Sequence, residues 1–438
     1  MNIKQVPQKA LMAVALAGCF SAAQATNGYF AHGYGIKAKG MGGASVAMAQ
    51  DAFAGANNPA AAAFAGNRWD IGAELFSPKR SMTRTGSNLG LDGKVESDRD
   101  YFLVPEFGYN RTISKDLSVN LTVYGNGGMN TSYPGGQFTC QNLSTGALYS
   151  GNTLCGQGKL GVDMSQLIIA PTIAYKVAPN HSLGISPLLV YQQFKAYGIH
   201  PFAMMSGSPA NVTNNGKDDS TGFGVRVGYQ GKLNDQVSLG AAYSPKIDMK
   251  SFDKYKGLFA GNGDFDIPGN YTVGLAFQAN PFTVIALDYQ RIMYSDVPSV
   301  HNPSTNMAPL GASNGPGFGW KDISVWKIGV QWEATPTWTV RAGYNRGENP
   351  IQSRDVTFNI LAPGVMREHF TLGGTMAIDK MQEVSFFYMH AREQSVSGIS
   401  ALGPIFQSFG APATSWGGTE TIRMYQNSIG VQYSKKFR

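Results

Sequence analysis

A strict two-residue alternation recurs along this chain and limits what it can fold into more than any other feature. In "DISVWKIGVQWEA", Trp326, Ile328, Val330 and Trp332 alternate with Lys327, Gly329, Gln331 and Glu333. In "TPTWTVRAGYN", Trp338, Val340, Ala342 and Tyr344 oppose Thr339, Arg341, Gly343 and Asn345. The same pattern sets Phe223, Val225, Val227 and Tyr229 against Gly224, Arg226 and Gly228, and Tyr271, Val273, Leu275 and Phe277 against Thr272, Gly274 and Ala276. Period two puts each set on its own face of a β-strand. A soluble β-sandwich alternates too. Here, however, one face is Gly- and Thr-rich with occasional Arg and Lys, as in a crowded lumen. The other carries aromatics at segment ends, as an interfacial girdle does.

About fourteen such segments start near residues 69, 100, 117, 164, 181, 222, 236, 267, 281, 320, 336, 366, 381 and 420. Six connections are tight: "RTISKD", "KVAPNH", "KLNDQ", "QANP", "EATPT" and "IDKM". They alternate with seven long ones rich in Gly, Ser, Asn and Pro. Short turns at one end and long loops at the other predict an all-β, 14-stranded antiparallel transmembrane β-barrel over 69–438, with both strand termini on the short-turn side. The closing strand, "IGVQYSKKF", fits: Ile429, Val431, Tyr433 and Phe437 share a face and Arg438 follows. Charged residues at 14% against about 25% in soluble domains, with 54 glycines, agree with a wall that meets lipid. No later run of apolar residues is long enough for a transmembrane helix.

Residues 1–25 read as an export signal. Lys4 and Lys9 precede the apolar "LMAVALAGCF", and Ala23-Gln24-Ala25 forms an A-x-A cleavage site. "LAGC", Leu16 to Cys19, offers a competing lipoprotein site with Cys19 as the lipidated residue. Losing Lys4 and Lys9 takes the formal net charge from +7 to +5, with no basic run, so nucleic acid is not an expected partner. Cys140 and Cys155 lie in a Gly/Ser/Asn-rich segment of an exported chain and are expected to form a loop-closing disulfide. No cysteine or histidine spacing suggests a metal, and no cofactor is expected. "GASNG", Gly311 to Gly315, matches G-x-S-x-G in form only, without strand or helix around it, so no catalytic residue is named and the chain is not expected to be an enzyme.

Residues 26–68 do not alternate. Their Gly/Ala-rich sequence predicts a lumenal plug, with one helix from about Ala44 to Phe53 and a second capped at Asn58. There Pro59 takes the first helical position and Gly66 the C-terminal one. The third strand ends in Gly125, Asn126, Gly127 and Gly128, which reads either as the start of a loop or as a bulge that interrupts the wall.

These segments resemble the FadL/TodX outer-membrane transporters of long-chain fatty acids and other hydrophobic compounds. The likeness rests on "GIKAKGMGGASVAMAQDAFAGANNPA" with its Asn58-Pro59-Ala60, on "VPEFGYNRTISKDLSVNLTVYGNGG", on "GFGWKDISVWKIGVQWEATPTWTVRAGYNRGENPI", on "FFYMHA" and on the final strand. The resemblance implies a barrel in the bacterial outer membrane, plugged by an N-terminal hatch. Solute would be captured at the extracellular loops, pass as the hatch moves, and leave sideways through a gap at a third-strand kink. It implies that Asn58, Pro59 and Ala60 anchor the hatch and that Asn126, Gly127 and Gly128 form the kink. For a ligand carboxylate it implies basic lumenal residues; Gln193 stands where an arginine is expected, leaving Lys195, Arg226, Lys327 and Arg341 as candidates. The implied partners are outer-membrane lipid and hydrophobic small molecules, long-chain fatty acids first and neutral hydrocarbons or aromatics second, handled by a monomer. A general porin or a barrel enzyme is the alternative.

Overall fold

The computed structural model describes residues 26–142 and 145–438, so the expected signal segment and Cys19 lie outside the described residues. Fourteen long antiparallel strands form one closed sheet in chain order. They are β1 (Arg68–Thr85), β2 (Phe102–Thr112), β3 (Leu117–Asn130), β4 (Gly161–Ala178), β5 (His181–Tyr197), β6 (Asp218–Lys232) and β7 (Val237–Ser244), followed by β8 (Asn270–Asn280), β9 (Thr283–Ile292), β10 (Ile323–Thr335), β11 (Trp338–Gly347), β12 (Glu368–Ala377), β13 (Gln382–Ile399) and β14 (Thr419–Lys436). The seam pairs β1 with β14 from Arg68↔Lys436 to Thr85↔Thr419, so the sheet closes on itself. Every strand begins close to its expected start; the largest offset is β6, which opens at Asp218 rather than 222. A short strand, Gly93–Glu96, extends the sheet beside β1, and a hairpin of Phe138–Gln141 with Leu148–Gly151 decorates one long loop. Cys140 and Cys155 are bonded there, Cα atoms 5.7 Å apart.

The alternation holds around the wall. On β10, Trp326 is 54% exposed while its neighbour Lys327 is 5% exposed. Val273, Leu275 and Phe277 on β8, and Ile429 and Val431 on β14, are likewise exposed. Their apolar side chains form the outer band that a bilayer covers.

Residues 26–67 fill the lumen. The expected helix over Ala44 to Phe53 is absent: the segment runs in turns, because its backbone donors are taken by the wall. Ser45 and Val46 N–H groups donate to Asp288 Oδ2 at 2.8 and 3.0 Å, and Ala52 N–H donates to Asp70 Oδ2 at 2.7 Å. Regular structure is confined to single turns at Ile36–Lys39 and Ala54–Asn57 and to a 3₁₀ helix at Pro59–Phe64. The last is capped as expected, Asn58 Oδ1 accepting from Ala60 N–H at 3.1 Å, and Gly66 follows with φ 72°.

Candidate functional site

The Asn-Pro-Ala turn is seated on β5 and β6. Asn58, fully buried, donates from Nδ2 to Val46 O at 2.7 Å and to Tyr229 O at 2.9 Å. Ser182 Oγ donates to Ala60 O at 2.9 Å. The backbones approach so closely that a Cβ on Gly228 would stand 2.0 Å from Asn58 Oδ1, and one on Gly184 would stand 2.3 Å from the carbonyl carbon of Pro59. Those two wall positions therefore admit glycine alone.

A ring of charge pins the rest of the hatch. Lys39 Nζ lies 2.6 Å from Glu74 of β1 and 3.2 Å from Glu106 of β2. Lys37 Nζ lies 2.5 Å from Glu383 of β13, which also receives Arg68 at 2.7 Å. Gln432 donates to Asp51 at 3.0 Å. Sequence reasoning missed this ring. Its signal was present: two lysines in the apolar "GIKAKG", facing acids at inward positions of distant strands.

Three of the four basic candidates belong to this hatch-bearing layer. Arg226 donates to Ala56 O and, at 3.1 Å, to Tyr124 Oη. Lys327 donates to His32 O at 2.9 Å. Arg341 donates to Gln331 and Thr375 of neighbouring strands at 2.9 and 2.7 Å. Lys195 lies on the outward face of β5, its ammonium 5.3 Å from the Tyr197 ring centroid, in a surface groove with Arg99 and Lys159. Gln193 shares that face, donating to Tyr191 Oη at 2.7 Å. The residue of β5 that points inward is its neighbour Gln192, which donates to Phe265 O at 3.1 Å. The strand phase thus displaces the position at which an arginine was expected.

Above the hatch lies an apolar chamber lined by Phe194, Ile199, Phe202, Phe259, Leu310 and Phe318 among others, with no charged side chain. Its two hydroxyls are occupied: Ser299 donates to Asp264 O and Thr357 to Glu420, each at 2.5 Å. Only about 40 Å³ is free, so a solute has to part the rings. Below the hatch the character reverses. A chamber of about 580 Å³ is lined by Lys37, Gln50, Gln230, Asp235, Glu333 and Arg341 among others.

The wall is interrupted at β3. β2 pairs with β3 only from Thr112↔Ser118 to Phe107↔Val123; beyond that, β2 keeps its pairing to β1 while β3 keeps its pairing to β4. Asn126 is the extra residue of a bulge between Gly125 and Gly127, and every residue from Tyr124 to Asn130 is buried because the strand turns inward. The start of the hatch covers the released edge. Phe30 bridges to Gly127, Ala31 N–H donates to Asn126 O at 3.2 Å, and Tyr34 Oη donates to Asn126 Oδ1 at 2.6 Å. Tyr29 packs among Phe30, Phe265, Tyr294 and Trp320 between this edge and the chamber.

Solved structures share the architecture. The Pseudomonas putida toluene transporter TodX superposes with a TM-score of 0.66 at 20% identity, covering 93% of this chain and 99% of that one. A Pseudomonas aeruginosa FadL homologue gives 0.67 at 15%, covering 94% and 100%. The Ralstonia pickettii toluene transporter TbuX gives 0.63 at 19%, covering 93% and 99%. No curated protein matches the chain in sequence. The model of the outer membrane protein transport protein family (OMPP1/FadL/TodX) matches residues 12–404. With its closed fourteen-stranded wall, this chain is an outer-membrane transporter of hydrophobic compounds and belongs to that family.

Proposed function

We propose that the chain takes up hydrophobic compounds by a sideways route: capture among the extracellular loops, passage through the apolar chamber, and release into the membrane at the β2–β3 interruption. The observation that carries this reading is the way polarity is distributed along the lumen. An apolar solute gains by every ring it touches in the upper chamber and would lose that gain in the polar chamber below. The break in β2–β3 pairing offers the same solute hydrocarbon directly. The moving part is the first stretch of the hatch, Thr26 to Ala31, held by a β-bridge and aromatic packing, while the remainder stays pinned by its ion pairs. Asn58, Pro59 and Ala60 act as the fixed anchor, and Arg226 and Lys327 hold hatch carbonyls rather than ligand. A closed wall needs no second copy, so the working unit is a monomer.

Long-chain fatty acids suit the chamber through their tails, and neutral aromatics or alkanes suit it entirely. The test is mass spectrometry of the protein purified in mild detergent from cells grown on each class. A bound acyl chain or hydrocarbon is expected. An empty, salt-conducting pore in planar bilayers would overturn the proposal.

A further inference from the structure

Outside the barrel, near the long-loop ends of the strands, Lys195 of β5 shares a groove of about 480 Å³ with Arg99, just before β2, and Lys159, just before β4. Gln157, Asp163 and Tyr197 line it too. Pairing fixes its level: Asp163 stands opposite Lys195 across β4–β5 and opposite Asn130 across β3–β4. Below this level the outward positions turn apolar. Tyr191 and Leu189 lie further down β5, Leu189 is paired with Ile169 of β4, and Tyr101 and Leu103 follow Arg99 into β2, all of them exposed. The groove therefore lies where the bilayer-facing band ends on its extracellular side, at the depth of lipid head groups.

The charges in the groove do not cancel. Arg99 NH1 lies 2.7 Å from Asp163 Oδ2, and Asp163 Oδ1 already accepts from Asn130 Nδ2 at 2.7 Å. Lys159 is paired with Asp98. Lys195 reaches no carboxylate among the described residues; its ammonium lies against the Tyr197 ring, 5.3 Å from the centroid. One step along the wall the balance is even, since Lys217 donates to Gln193 Oε1 at 3.4 Å and Asp219 stands opposite Gln193. Three cations in the groove thus share two carboxylates. Exposed ion pairs hold weakly, so Arg99 and Lys159 can join Lys195 around a multivalent anion. A phosphate monoester suits the set, with nearly two charges and three acceptor oxygens for one guanidinium and two ammoniums.

We infer that the groove of Arg99, Lys159 and Lys195 seats the head group of a phosphorylated glycolipid of the outer leaflet, whose acyl chains run down the apolar strip below it. A free phosphate would gain nothing from that strip. The leaflet at this end of a bacterial outer membrane is built of phosphorylated glycolipid, and the exposed amide of Gln157 offers hydrogen bonds to sugar hydroxyls. The inference rests on the outer-membrane location alone and is independent of the uptake route.

The test titrates the full chain in mild detergent with lipid A bearing two phosphates, and native mass spectrometry reads the bound fraction. Phosphatidylglycerol and phosphatidylcholine are the comparison lipids, and inorganic phosphate is the competitor. Lipid A should bind most tightly, and Lys195→Gln should weaken it by about fivefold, the scale of one cation beside an anionic membrane surface. Lys115→Gln, in a tight turn at the opposite end of the wall, removes the same charge and should change nothing. Migration as a folded species on unboiled gels checks each variant; should Lys195→Gln fail it, Lys159→Gln carries the same expectation. Lipid A binding no tighter than phosphatidylglycerol, an unchanged affinity in the groove variant, or an equal loss in the Lys115 variant would overturn the inference. So would displacement of lipid A by an equal concentration of inorganic phosphate, which would mark a site for the free ion. In each of these cases the uptake route stands.

Discussion

Asn58 uses its whole amide at once, with two N–H donations to Val46 and Tyr229 and one acceptance from Ala60. Asn58→Ala removes the cap and strands two buried carbonyls, which is expected to cost roughly 2 kcal/mol. Urea unfolding of the refolded barrel measures it; a loss below about 0.5 kcal/mol, the range of a surface change, would show that the turn is held by something else. This residue was legible in sequence because a cap, a proline and a C-terminal glycine follow local rules. Lys195 was not legible, since its face depends on the phase of β5, fixed by pairing with β4 and β6, and one residue of phase exchanges lumen for exterior.

Among the elements, β3 does two jobs. Its first half, Leu117 to Val123, is ordinary wall; its second half leaves β2 and turns inward, and the change falls at the glycines. A Cβ on Gly127 would lie 1.9 Å from Tyr29 O, so only glycine lets the hatch lie against the bulge. Gly127→Ala should push residues 29–31 off the strand without disturbing β3–β4 pairing. The expected outcome is a higher baseline conductance in bilayers and faster entry of bulky hydrophobic dyes into cells; unchanged values for both would mean that the contact is not a gate. Alternation found all fourteen strands because period two survives burial on one side only. It left residues 125–128 divided between loop and bulge, since glycine suits both, and the continued pairing with β4 decides for the bulge. The helix expected over 44–53 failed for the converse reason: propensity is a weak force beside the carboxylates of Asp288, which takes the N–H groups of Ser45 and Val46, and Asp70, which takes that of Ala52.

For the whole molecule, wall and hatch are separable in their bonding. The seam from Arg68↔Lys436 to Thr85↔Thr419 and the neighbouring strand pairs close without any hatch residue. Deleting residues 27–66 should therefore leave a barrel that still assembles and migrates as a folded species on unboiled gels. It should conduct ions strongly, because Glu74, Glu106, Asp288 and Glu383 would line an open lumen. Loss of the folded species would show that the hatch is needed to hold the wall.

The ring of ion pairs has a consequence for the order of events during biogenesis. Lys39 needs acids on the first two strands, Lys37 needs Glu383 and Asp51 needs Gln432, so the hatch draws partners from both ends of the chain. The hatch precedes every strand in the chain, yet its charged residues must wait for the last strands before all their partners are in place. Until the seam shuts they are unprotected, and a nascent chain stalled before β14 should advertise itself to periplasmic proteases at its own N-terminus.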